Sequence, residues 1–198
     1  MSAKAKGTIL KGKLLRTSLY ALLVQTSHLS VARASCVQWG GNGHCYEAVL
    51  VGEVGITWSD AQAASIARGG YLTTITSAEE NSFVFSLVSG DSRFWTLRLG
   101  DGIGPWLGGL QPAGSQEPSG GWEWLTGEAF NYTNWSPGEP NNHGGGPEDR
   151  LQFFGQGSLI GSAWNDFPGG IAVTGYIVET SPIGVQASQW SDVKRIFR

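Results

Sequence analysis

"WSDAQAASIARGGYLTTITSAEENSFV", residues 58–84, carries two changes of hydrophobic period in one short stretch. Thr57 stands where a helix cap is wanted, and Ala61, Ala64, Ile66 and Ala67 supply a small apolar face. Gly69-Gly70 then stops the helix. "YLTTI" returns to a strand-like run. Ser77 and Glu80 stand three apart, the spacing of a capping box, ahead of Phe83, Val84, Leu87 and Val88, which predicts a second helix. Upstream, "CYEAVLVGEVGITW" (45–58) alternates as a strand and turn do. Downstream of Gly90 no helical period returns, and short strand candidates follow one another: "FWTLRLGDGIGPWLGGL" (94–110), "GGWEWLTGEAF" (120–130), "YTNW" (132–135), "RLQFF" (150–154), "SAWNDF" (162–167) and "GYIVET" (175–180). Two helices early and many short strand candidates late, separated by turns, make a loop-rich fold the expectation.

Composition narrows the partners. The chain has 198 residues, 40% of them hydrophobic and 11% aromatic, enough for one domain with a core of its own. Thirty glycines and nine tryptophans imply many turns, and many large rings that need an apolar home or a sugar to stack on. Thirteen basic and 16 acidic residues give a net charge of −3, without a basic stripe interleaved with aromatics, so nucleic acid is excluded as the expected partner. Residues 1–35 differ from the rest. Lys4, Lys6, Lys11, Lys13 and Arg16 precede the apolar run Leu19–Val24, and Ala32-Arg33-Ala34 offers small residues before Ser35, so the segment reads as a secretory signal peptide, with a basic N-terminal extension as the alternative. That run is shorter than the ~18–20 residues of a membrane span, and no integral span is expected. Cys36 and Cys45 are the two cysteines; in an exported chain they would pair across a small hairpin, and in the cytosol they would be idle thiols. The expected location is secreted or extracellular, or periplasmic or cell-surface in a bacterium. Residues 181–198 form a tail without an assigned role.

The chemistry gathers in "EPNNHGGGPEDR" (139–150) and "WND" (164–166). Calcium takes six to eight hard oxygens at ~2.3–2.6 Å from carboxylates, amide and backbone carbonyls and water. Glu139, Asn141, Glu148, Asn165 and Asp166 offer that set, the glycines let the chain wrap, and Pro140 restricts the backbone between the first two. A cis peptide before Pro140 would aim Glu139 and Asn141 at one ion, and it is the form expected here. Alone, such a loop reads first as a solvated turn. "WND" shifts the reading to a metal site.

The ordered set "WSDAQAASIARGGYLTTITSAEENSFV", "WLGGL", "GGWEWLTGEAFNYTNWSPGEPNN", "PEDRLQFF", "WND" and "GYIVE", spread over residues 36–180, resembles a C-type lectin-like domain. The resemblance implies the C-type lectin fold: α+β, two helices flanking antiparallel sheets, with a long calcium-binding loop region. Trp106 and Leu107 of "WLGGL" would then be core. Glu139-Pro140-Asn141 looks like the EPN motif of lectins that prefer mannose, glucose, fucose or N-acetylglucosamine. Glu148 resembles the following acidic ligand, and Asn165-Asp166 the ligand pair after the core tryptophan, Trp164. Two adjacent sugar hydroxyls would complete the shell of one Ca2+ while bonding to Glu139, Asn141, Glu148 and Asn165. The implied partners are glycans or glycoconjugates, with oligomerisation setting avidity.

Departures from the family pattern are equally readable. Pro147 is inserted before Glu148 and could displace it from the ion. A second ion, leaning on Asp149 and Glu148, is not expected. Ser65 and Val178 stand where the family's long disulfide would fall, and Arg150 where another cysteine is usual, so stability must come from the aromatic core, at about 1.5–3 kcal/mol per well-buried ring. His143 beside the ligands reads as exposed, Trp135 and Phe154 as core, and the two Asn-x-Ser/Thr triplets, Asn131 to Thr133 and Asn134 to Ser136, as structure. Two other functions remain open: a protein-interaction or structural module of the same fold, and a glycosidase using Glu148, Asp149 or Asp166. No nucleophile paired with a base accompanies those carboxylates, so an enzyme is not expected.

Overall fold

The computed structural model describes residues 36–143 and 146–182; the basic segment 1–35 and the tail from residue 183, with the roles expected of them, lie outside these. Within the described residues the chain forms β1 (Val37–Gln38), β2 (Cys45–Leu50), α1 (Trp58–Ala67), β3 (Tyr71–Leu72), α2 (Ala78–Ser86), β4 (Thr96–Arg98), β5 (Asp101–Leu110), β6 (Glu123–Trp124), β7 (Arg150–Gly155), β8 (Ala163–Phe167) and β9 (Gly175–Thr180). The strands join in the order β1-β2-β9-β5-β7-β8, with β3 beside β9 and both β4 and β6 beside β5. Every pairing between these strands is antiparallel except the parallel contact of Trp106 with Tyr176 between β5 and β9. The arrangement is the expected α+β.

Both helices begin where the sequence places their caps. Thr57 Oγ1 accepts the Asp60 amide, and Gly69 follows the last turn with φ of 80°. The face that α1 buries is Trp58, Ala61 and Ser65, whereas Ile66, expected on it, points outward and is half exposed. Trp58 dictates this, because residues three and seven positions further along share its side of the helix. At α2, Ser77 Oγ accepts the Glu80 amide at 3.1 Å. The Glu80 carboxylate does not return to Ser77 to complete the box. It takes the Thr76 amide and hydroxyl on one oxygen, at 2.6 and 2.8 Å, and the Tyr46 hydroxyl and Asn42 amide on the other. A local cap has become a tie to β2.

Alternation along β7 and β9 builds two apolar layers on opposite faces of the sheet. Leu151, Phe153 and Ile177 face Trp124, Trp164, Val84 and Val88. Phe154, Tyr176 and Val178 face Trp58, Ala61, Leu72 and Trp106. Trp106 and Leu107 are buried completely, as expected of core residues. Where the family's bridges are missing, packing takes over. Ser65 and Val178 are both buried, with the Ser65 hydroxyl on the Ala61 carbonyl. The Arg150 guanidinium lies over the Trp58 ring, 4.7 Å from its centroid. Cys36 and Cys45 form the disulfide that closes the β1–β2 hairpin.

Beyond these layers Glu179 is buried at the end of β9. Its Oε1 lies 2.5 Å from His44 Nδ1 and accepts the Tyr71 hydroxyl at 3.1 Å, and its Oε2 accepts the Thr74 amide. Burial pushes the Glu179 carboxyl above its usual range, and the bond to Glu179 raises the His44 imidazole. Among the described residues no helix is long and apolar enough to cross a membrane.

Candidate functional site

The site is held from β8. The Trp164 indole donates to Asn81 Oδ1 at 2.8 Å and meets Trp124, Tyr132 and Trp135 edge-on. Its backbone grips the preceding loop, accepting Ser136 N and donating to Asn134 O. With Trp164 fixed on the core face, strand alternation turns Asn165 to the other side. Asp166, wholly buried, then reaches the loop: its carboxylate accepts the amides of Asn141 at 3.1 Å and Asn142 at 2.8 Å. The Glu139–Pro140 peptide is cis, as expected, and so is Glu117–Pro118.

Past Asn141 the loop clasps itself. Asn142 takes the left-handed conformation, φ 49°, that asparagine tolerates, and its Oδ1 accepts the Glu148 amide. The His143 amide donates to Asn141 Oδ1 and to Glu148 Oε2, each at 2.7 Å. These bonds keep Glu148 beside Glu139, Asn141 and Asn165 despite Pro147 before it. Glu139, Asn141, Glu148 and Asn165 line one open depression of about 210 Å3, with Asp166 buried against their loop. Exposed His143 reaches its rim, whereas Asp149 is occupied by an ion pair with Arg150. Trp135 packs edge-on against Trp122, partly buried against the core; Phe154 is core on one side and lines the depression on the other.

Sequence reasoning missed the far wall. Arg98, Leu99, Asp101 and Ile103 come from the β4–β5 hairpin, Phe167 from the end of β8, and Pro168 and Ile171 from the following turn. The only local signal for it is Leu99-Gly100, a turn pair between two apolar runs.

The electrostatics of the floor are those of crowded carboxylates. Burial, then Asp166 and Glu148, push Glu139 up to about 8. Burial, then Asp166, raises Glu148, against the opposing pull of the His143 amide. No N–H or O–H donor reaches the buried Oε2 of Glu139, and the Asp166 carboxylate lies within hydrogen-bond reach of Glu139, a contact that two acids make only by sharing a proton. A buried acid so placed is costly to ionise and meets that cost either by keeping its proton or by facing a cation. The donors at hand are all oxygens, without thiol or imidazole among the five ligands foreseen, and such a set suits a hard ion such as Ca2+. Among the described residues no three His, Cys, Asp or Glu side chains already converge as metal ligands, and the Asp166 carboxylate is taken up by the Asn141 and Asn142 amides. In chemistry, though not by convergence of carboxylates alone, the residues fit the ion.

A family model for the lectin C-type domain matches residues 54–148. A perlucin-like protein of Mytilus galloprovincialis is 32% identical over 62% of this chain and 69% of its own length. Lectin BRA-3 of Megabalanus rosa is 33% identical over 61% of this chain and 67% of its own. Among solved structures, the cow C-type carbohydrate-recognition domain of CD23, crystallised in the presence of an oligosaccharide of N-acetylglucosamine and mannose, superposes with a TM-score of 0.50 at 26% identity, covering 70% of this chain and 88% of that one. The fold, the ordered motifs and these likenesses together place the chain in the C-type lectin domain family, a family of binding domains and not of enzymes.

Proposed function

We propose that the depression binds one Ca2+ and, with it, sugars of the mannose, glucose and fucose type through two adjacent hydroxyls. The observation that carries this reading is the crowding of the buried Glu139 oxygen, which no N–H or O–H donor reaches, with the carboxyls of Glu148 and Asp166. Glu139, Asn141, Glu148, Asn165 and Asp166 would hold the ion. Calcium, when bound, supplies coordination sites that two neighbouring hydroxyls can fill. The chain's own part is directional. Glu139 and Glu148 accept from hydroxyls while the amides of Asn141 and Asn165 donate to them, and the order of acceptor at 139 and donor at 141 selects equatorial diols over the galactose arrangement. Asp166 acts from behind by fixing the backbone of Asn141 and Asn142. The Cys36–Cys45 bridge supports action outside the cytosol, where disulfides persist.

A glycan array read with calcium and with excess EDTA tests this. Binding to mannose-type glycans in calcium, abolished by EDTA, is the expected result; binding that survives EDTA would sink the mechanism. The second reading, a protein-interaction or structural module of the same fold, has one observation in its favour. The bonds from Asp166 to the loop amides, and from the His143 amide to Asn141 and Glu148, order the loop without a cation. On that reading calcium leaves thermal stability unchanged, whereas a calcium-binding loop gains stability by mass action.

A further inference from the structure

The polar floor is only part of the depression. Ile103, Phe154, Phe167 and Ile171 give it an apolar wall for which recognition of a sugar's adjacent hydroxyls has no use, and Leu99 stands at the rim, 98% exposed. Arg98 pairs with Asp101, so Leu99 and Gly100 are the two central residues of the hairpin, and both have positive φ, 55° and 98°. A turn of this type favours Asn-Gly or Asp-Gly, because a larger L side chain at positive φ crowds its Cβ against the following carbonyl. Leucine is therefore a poor choice for the backbone, and at this exposure no core packing explains it. Strain held beside a binding site points to a role there.

The occupant can be narrowed by chemistry. Wall and floor belong to one cavity, so what covers the wall is continuous with what sits on the floor. Asp101, Glu139 and Glu148 disfavour an anionic group, and of the two basic side chains in the lining, Arg98 and His143, the guanidinium of Arg98 lies over the Phe167 ring, 5.8 Å from its centroid. We propose that Leu99 and this wall form a second subsite for an uncharged apolar group attached to the bound sugar, an alkyl or aryl aglycone, making amphipathic glycosides the preferred ligands. The inference rests on the sugar reading above.

Calorimetric titration in calcium with methyl and phenyl α-mannoside tests it. The phenyl glycoside is expected to bind about tenfold more tightly. Leu99→Asn supplies the residue that the turn favours and keeps the hairpin; it should bring the ratio of the two affinities close to one. Ile171→Thr, at a second apolar position of the lining, should lower the same ratio. Equal affinities in the wild type, or a ratio untouched by both variants, would overturn the subsite and leave the sugar site standing. Failure of both glycosides to bind would overturn the sugar reading and the subsite with it. Calcium-independent binding of the wild type, but not Leu99→Asn, to phosphatidylcholine vesicles would make a lipid surface the occupant and refute an aglycone.

Discussion

At residue 139 one side chain carries most of the electrostatic argument. Calcium requires the carboxylate ionised, yet Glu139, held up to about 8, keeps its proton at neutral pH in the cation-free protein. Calcium uptake at pH 7 should therefore release a proton. Titration calorimetry in buffers of different ionisation enthalpy would count it, and the apparent affinity should climb from pH 6 to 8 and then level. A heat independent of buffer would contradict this. Glu139→Gln should lose the calcium response without destabilising the cation-free domain, since a neutral amide replaces a neutral acid. Combining it with Asn141→Asp reverses the donor and acceptor order, and a glycan array should then show preference moving toward galactose. This part of the site was legible in the sequence because EPN and WND each place their oxygens within a few residues. Asp166 was legible as a ligand type but not as the anchor of two amides, since that depends on how the loop lies on β8.

Elements joined by backbone leave little room for side chains. Gly108 on β5 donates its amide to Thr73 O at 2.8 Å, and a Cβ there would sit 2.4 Å from Leu72 O. Gly108→Ala should therefore push β5 from the β3 segment and lower stability by about 1–3 kcal/mol or more. Gly90→Ala, with open space around its Cβ, is the control and should change thermal unfolding little. The helices could be read from the chain because caps and period are local; even so, the alanine-rich face of α1 did not show which way Ile66 points. Ile103, Phe154 and Phe167 gave no such signal. They come from β5, β7 and β8, and their meeting depends on strand register, which only tertiary pairing decides.

Across the whole molecule, buried acids should make the calcium-free domain prefer low pH. His44 is raised by Glu179, and Glu179 and Glu139 are raised by burial. In each case the folded state holds a proton more tightly than the unfolded chain, so the stabilisation is complete below the unfolded value and is lost as pH rises through the folded one. For His44 that loss begins above 6.5, its unperturbed value. Urea midpoints in EDTA should decline from pH 6 to 9, and His44→Gln should flatten part of that slope. Midpoints that rise over this range would refute the assignment.

The ladder between β2 and β9 has one more outcome. It sets Cys45 opposite Thr180, so the domain's strands enter and leave at one corner, while Pro168 and Ile171, which line the depression, precede the other end of β9. A domain threaded in this way can be spliced as a single loop into a host protein.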